Sequence, residues 1–237
     1  MQEKTYEITE KGIGLGEWEF ILLCNACSIS DVVCFEQHEK TPGEEEALQT
    51  ILEMVKRNLL VHNGEAFRLS DDMLAIMKVI ATRKHTVMLR SPEREVPDCC
   101  LYISEEENLV LAEPGAREGE YIVLKMFPKT ILRVFLENGD YIPNSMIPGE
   151  VQEIRRKIEK TDEYGVEFTV YEEAEPSDYR FKADFYTGTE EMKTSTLYVY
   201  WDKGNELMLE ITGTDKKADY YSEDRLLETI LLLAGLT

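Results

Sequence analysis

The stretch LYVYWDKGNELMLEI, residues 197–211, decides the reading of this chain, because LYISEEENLVL, residues 101–111, repeats its pattern. Both begin Leu-Tyr followed by a β-branched residue. Both pass a charged turn and an asparagine, Asn108 in one and Asn205 in the other. Both leave on alternating leucines, Leu109 and Leu111 or Leu207 and Leu209. Two apolar runs around a polar turn predict a β-hairpin in each case. The first leucines are 96 residues apart, from 101 to 197, and the spacing drifts only to 98 by Leu109 and Leu207.

The elements around the hairpins recur in the same order. A strand over 85–90 answers one over 179–187. A strand over 120–127 answers a weaker piece at 217–221. A helix through Ile131, Leu132 and Phe135 answers one through Leu226, Leu227, Ile230 and Leu231, and Ile131 and Leu226 are again 95 residues apart. A shared order of strands plus helix carries more weight than two similar hairpins. The expected fold is α+β: a central antiparallel sheet made of two β-units related by a pseudo-two-fold and flanked by helices. The expected organisation is an N-terminal helical region over 1–84, a first β-unit with its helix over 85–140, and a helix, second β-unit and C-terminal helix over 150–237, all in one compact domain. YIPNSMIPG, residues 141–149, has two prolines and no helical or strand period, and reads as the junction.

In the N-terminal region, Gly12, Gly14 and Gly16 nearly spell a dinucleotide-binding fingerprint, but Glu17 stands where the last glycine belongs. They are read as a flexible entry to a buried helix over 17–27. Residues 44–58 predict an amphipathic helix with Leu48, Ile51, Leu52 and Val55 at helical spacing and three glutamates in its first turn. The turn Asn63-Gly64 joins two short strands, and Ser70 caps a further helix over 71–83. Helix, hairpin, helix is the order of a winged-helix module. Residues 1–97 nevertheless hold 11 basic and 17 acidic side chains, which disfavours nucleic acid. Another helix is expected over 150–161.

The chain carries 26 Lys and Arg against 47 Asp and Glu, a net charge of −21. A field of that sign repels phosphates and anionic lipid. The N-terminus has no basic stretch leading an apolar core, and no run approaches a membrane span, so a cytoplasmic protein without membrane contact is expected. Five cysteines, two of them adjacent at Cys99 and Cys100, fit free thiols in a reducing compartment. Cys24, Cys27, Cys34 and His38 have spacing that superficially resembles a zinc knuckle. No glycines lie between them and two sit in an apolar helix, so core packing is favoured and no metal is assigned.

No motif names a reaction. The nucleophile elbow, the phosphate loop and the His-Glu-x-x-His helix are absent. No catalytic residue or cofactor is assigned, and the expected function is binding. The aromatic pattern suggests where. In residues 197–201, Leu197, Val199 and Trp201 share one face while Tyr198 and Tyr200 share the other. Tyr186 on the neighbouring strand and Tyr102 in the first hairpin complete a set of four tyrosines expected to meet a partner.

The strand TVMLRSP (86–92), the hairpin LYISEEENLVL and the strand EYIVLKMF (120–127) follow a helix, and this succession resembles the EspG family of type VII secretion chaperones. The resemblance lies in element order and apolar pattern over most of the chain, and similar proteins occur in Firmicutes beside such secretion systems. It implies a central antiparallel sheet with a pseudo-two-fold and helices at both ends. It also implies cytosolic binding of a helical secretion substrate that is kept soluble before export. The rival readings are a winged-helix transcriptional regulator and a structural interaction protein.

Overall fold

The computed structural model describes residues 12–29, 32, 42–92, 96–106, 108–115, 122–138, 141–145, 159–161, 167–169, 175–202 and 204–236. The sheet is built from β1 (Ile13–Leu15), β4 (Arg83–Arg90), β5 (Cys99–Ser104), β6 (Asn108–Pro114), β7 (Ile122–Pro128), β10 (Phe181–Thr187), β11 (Met192–Asp202), β12 (Asn205–Thr212) and β13 (Asp215–Tyr220). Its order is β1-β7-β6-β5-β4-β10-β11-β12-β13, and every neighbouring pair is antiparallel. Two four-strand meanders therefore run outward from one seam, where β4 pairs β10 from His85↔Thr187 to Arg90↔Lys182.

Each meander ends in a helix. A 3-10 turn (Lys129–Ile131) and α4 (Leu132–Asn138) follow β7, and α5 (Glu223–Leu233) follows β13. The first strands of the two hairpins are placed alike, but the second are not: Leu109 and Leu111 face the core shared with α4 and α5, whereas Leu207 and Leu209, expected to answer them, lie on the opposite face of the sheet. Tyr102 lies opposite Val110, and Tyr198 lies opposite Leu209. Leu101, Ile103, Leu197 and Val199 all point into one core, shared with α4 and α5. That core runs unbroken across the seam through Val87, Leu89, Phe181, Ala183 and Phe185. Leu226 and Ile230 of α5 are fully buried in it, each contributing roughly 1.5–3 kcal/mol.

The opposite face of the sheet differs between the meanders. Over the first lie α1 (Glu17–Ala26) and α3 (Asp71–Ala81), which bury Phe20, Leu23, Met73, Met77 and Ile80 against Tyr102, Val110 and Leu124. Over the second, Tyr198, Tyr200 and Leu209 form a smaller cluster with Tyr179 and Leu207. Between α1 and α3 the chain forms α2 (Glu44–Lys56) and the hairpin β2 (Leu60–His62)–β3 (Phe67–Leu69). Asn63 Oδ1 accepts from the amides of Glu65 and Ala66 to shape that turn. Ser70 Oγ accepts from Met73 N at the start of α3, as its cap position predicts.

Three expectations need correcting. The glycine-alternating stretch is not a flexible entry, because Ile13–Leu15 is a strand paired with β7. Gly12 lies so close to that strand that a Cβ there would sit 2.3 Å from Val123 Cγ1. The weak piece at 217–221 is a full strand with six ladder partners on β12. The helix expected over 150–161 does not reach its end. Glu159–Thr161 forms β8, paired with β9 (Glu167–Thr169), and residues 150–158 lie outside the described residues.

Each seam strand carries a buried arginine at its head. Arg83 Nε donates to Glu191 at 2.8 Å, with both side chains almost wholly buried. Its other nitrogens donate to the carbonyls of Ile80 and Thr189, and the guanidinium lies 6.0 Å from the Tyr102 ring centre. Arg180 is ion-paired with buried Glu206 and lies 5.8 Å from the Trp201 ring centre. Glu191 holds its place with a φ of +50°, in the left-handed region, where a non-glycine residue is strained.

On the seam itself, buried Asp184 accepts from Thr196 Oγ1 at 2.9 Å and meets Arg90 at 2.8 Å, Lys193 at 2.6 Å and Lys182 at 3.4 Å. Burial alone would raise its pKa. The hydrogen bonds from Lys193 and Thr196 and the charges of Lys193 and Lys182 outweigh burial and hold the carboxyl below its ordinary range.

Two predictions follow from the seam. Arg83→Met leaves Glu191 charged and buried, and should lower unfolding free energy by about 3–5 kcal/mol. Urea denaturation measures this, and a loss below about 1 kcal/mol would contradict the role given to the pair. His85 lies near the start of β4 with its Nδ1 buried and without a hydrogen-bond partner. Burial, then the charges of Lys129 and Lys84, lowers its pKa. The unfolded chain therefore takes up the proton first, so His85 costs stability as pH falls through about 6.5. The stability difference between wild type and His85→Gln should shift against wild type over that interval, and parallel pH profiles would refute the assignment.

Candidate docking groove

α1 and α2 are clamped at one end. Glu19 Oε2 accepts from the amide of Gly16 at 2.8 Å, which caps α1, and from Arg57 Nη1 at 2.6 Å, just past the end of α2. Arg57 also donates to the carbonyl of Gly14 in β1. The base of the β2–β3 hairpin is tied in turn. The Leu59 amide donates to Met54 O and the Ser70 amide to Leu59 O, both at 2.9 Å. These bonds fix α1, α2 and the hairpin as three walls around a space of about 490 Å³.

The space is apolar. Leu22, Leu23 and Ala26 come from α1, Ile51 and Met54 from α2, and Leu60, Phe67 and Leu69 from the hairpin. Among the described residues, Asn25 and Arg68 are its polar lining. Met54 forms the floor at 1% exposure. The recess is open at Phe67, which is 47% exposed; on α2, outside the lining, Leu48 is 56% and Leu52 44% exposed. Leu48 and Leu52 are one helical turn apart. The His62 ring sits 4.9 Å from Phe67 across the hairpin. Glu44, Glu45 and Glu46 open α2, Glu53 follows, and Lys56 next to them is already paired with Glu53 at 2.6 Å. The exposed side of α2 is therefore acidic, while Arg68 is the charged residue in the described lining.

Leu48 and Leu52, part of the apolar spacing of α2, point to solvent, and Met54 is the α2 residue that is buried. Phe67 had no assigned role. The signal for it was the short hairpin itself, which is too small to bury both of its faces.

The four tyrosines expected to meet a partner are not presented as a surface. Tyr102 is fully buried beneath α3, and Tyr198 and Tyr200 are 3% and 8% exposed. The Tyr198 hydroxyl donates to Glu175 at 2.9 Å, its ring meets Tyr179 edge-on, and the Lys182 ammonium lies 5.2 Å from its ring centre. Burial and then the Glu175 bond raise its pKa. Tyr186 is half-buried and lies on β10 beside Asp184. Tyr102 belongs to the other meander, so the four do not converge.

Cys24 is buried and its thiol is pushed up to about 12 by burial, while Cys27 is raised less. Cys34 and His38 lie outside the described residues, among which no group of His, Cys, Asp and Glu is placed to hold a metal. Cys100 is disulfide-bonded, so the reading of all five cysteines as free thiols does not hold. Among the described residues no helix is long and apolar enough to cross a membrane.

The burial of Tyr198 makes a direct prediction. Tyr198→Ala should cost about 3 kcal/mol or more in urea denaturation, as large buried aromatics do, whereas Leu48→Ser should change stability by less than about 0.5 kcal/mol. Equal costs for the two would contradict this assignment of core and surface. No protein-family model matches the chain, and no curated protein matches it either.

Proposed function

We propose that the protein is a protein-binding adaptor or chaperone that holds an amphipathic helix of its client in the groove between α1, α2 and the β2–β3 hairpin. The observation that carries this is a recess walled by leucine, isoleucine and methionine with Phe67 exposed in its lining, next to a helix, α2, that also exposes Leu48 and Leu52. A helix laid in such a groove buries its apolar stripe and leaves its polar face to the rim. The exposed side of α2 is acidic, so the favoured client helix has lysine and arginine beside its apolar stripe. The lining offers contact area and no convergent acid, base or nucleophile, which suits binding better than catalysis.

We further infer that the two meanders descend from one duplicated unit. Their element order and the matched placement of Leu101 with Leu197 and Tyr102 with Tyr198 support this. A sheet of this plan with helices on it agrees with the resemblance to the EspG-type secretion chaperones, under which the client is a secretion substrate. The helix–hairpin–helix order also suits a winged-helix regulator. However, α3 is packed on the sheet and α2 opens with three glutamates, which sets that reading lower.

Anisotropy titrations of labelled helical peptides test the proposal. A basic amphipathic helix should bind saturably. Leu48→Ser with Leu52→Ser and Phe67→Ser should weaken it by at least about tenfold with the fold intact, as loss of apolar anchors does. Binding untouched by the triple substitution would overturn the groove, and a sequence-specific shift of duplex DNA would favour the regulator.

A further inference from the structure

The second meander carries a recess of its own. Pro92, at the end of the seam strand β4, and Tyr179 and Trp201 wall a space of about 230 Å³, with Asp178 and Arg180 beside them. This is below the roughly 300 Å³ at the low end of small-molecule pockets, and the recess is open to solvent. It suits one or two residues of a chain passing over the surface better than an enclosed cofactor.

Its walls are braced from behind. Trp201 is 43% exposed, yet the Arg180 guanidinium lies 5.8 Å from its ring centre. Arg180 is itself buried, ion-paired with Glu206, and donates to the carbonyl of Asn144 at 3.2 Å. Its backbone amide donates to Val199 O at 2.7 Å. Tyr179 meets Tyr198 edge-on at 5.8 Å, and Tyr198 is held by Glu175. Pro92 is exposed and stiff by its own ring. The aromatic groups are thus fixed before any ligand arrives, which removes much of the ordering cost of binding.

The chemistry narrows the ligand. A quaternary or primary ammonium would seek the π face of Trp201, but the Arg180 guanidinium, 5.8 Å from that ring centre, already takes up this cation–π contact. An anion would meet exposed Asp178 and a net charge of −21. A sugar needs several converging donors and acceptors, whereas Asp178 is the one carboxylate among the described lining residues, beside the Tyr179 hydroxyl and the Trp201 indole N–H. A neutral, rigid, apolar ring fits: proline in an extended segment, packed between Trp201, Tyr179 and Pro92. Asp178 at the edge, in an acidic field, then favours a basic residue next to the proline.

We propose that this recess docks a proline-containing extended segment with a flanking arginine or lysine, gripped by Trp201 and Tyr179 and read by Asp178. The site is separate from the groove of α1 and α2, and its test does not depend on the adaptor reading.

The experiment uses the full chain and a blocked peptide, Arg-Pro-Pro-Ala-Pro-Pro-Arg. Binding is followed by tryptophan fluorescence, with Trp18→Phe present so that Trp201 is the reporter. Saturable binding is expected. It should weaken by at least about tenfold with alanine in place of every proline, and by a similar factor in Tyr179→Ala, as for hot-spot contacts. Asp178→Lys, on an exposed residue, should transfer preference to the peptide with glutamate in place of both arginines. That reversal cannot arise from misfolding. Absence of saturable binding, equal binding of the alanine peptide, or unchanged charge preference in Asp178→Lys would each overturn the proposal.

Discussion

The seam between β4 and β10 is the pairing on which the rest of the structure hangs. Each meander is local, built from strands joined by short turns, but the seam joins residues about a hundred positions apart, such as His85 and Thr187. Only when it closes does the face beneath α4 and α5 become one apolar layer. The polar groups around it show how the junction is held. Arg83 and Arg180, 97 residues apart at the heads of the two seam strands, each pair with a buried glutamate and each lie against an aromatic ring of the following strand. Buried ion pairs return little net stability compared with apolar packing, because both charges lose their hydration. Their use here is geometric: a displaced seam strand would strand a charge out of water.

The two meanders were legible in the sequence because sheet periodicity is simple. Leucine and β-branched residues two apart must share a face, so LYI at 101 and LYV at 197 announce their core sides directly. The helices α4 and α5 were legible by their 3.6 period. What escaped was the part whose residues look alike in different settings. Strand β1 contributes three residues among glycines, and no propensity argument distinguishes it from a loop. Strand β13 is DKKADY, mostly charged, and its strand state comes from the ladder with β12 rather than from its own side chains.

The candidate site divides in the same way. Alternation correctly separated Tyr198 and Tyr200 from Leu197 and Val199, but alternation reports sidedness and not exposure. Tyr198 and Tyr200 occupy the second face of the sheet as expected, yet Tyr179 and Glu175, from the stretch preceding β10, come over Tyr198 and enclose it. Conversely, the amphipathic pattern of α2 correctly marked an apolar face. Whether that face meets the protein's own core or a visitor depends on how far the α1 and hairpin walls stand from it. The clamp of Arg57 on Glu19, 38 residues apart in the chain, sets that distance.

The two margins of the nine-strand sheet are of opposite character. At one margin, short β1 covers the outer side of β7 over Ile122–Leu124, a piece too brief to recruit another chain. At the other, β13 pairs β12 along one side, and its exposed first half carries Asp215, Lys216 and Lys217. A row of backbone donors and acceptors on such a strand is a template for strand addition from neighbouring molecules, and clustered charge opposes it through repulsion between identical copies. The layer therefore stops at nine strands for different reasons at its two ends, and the acidity of the chain doubles as a guard against fibrous growth.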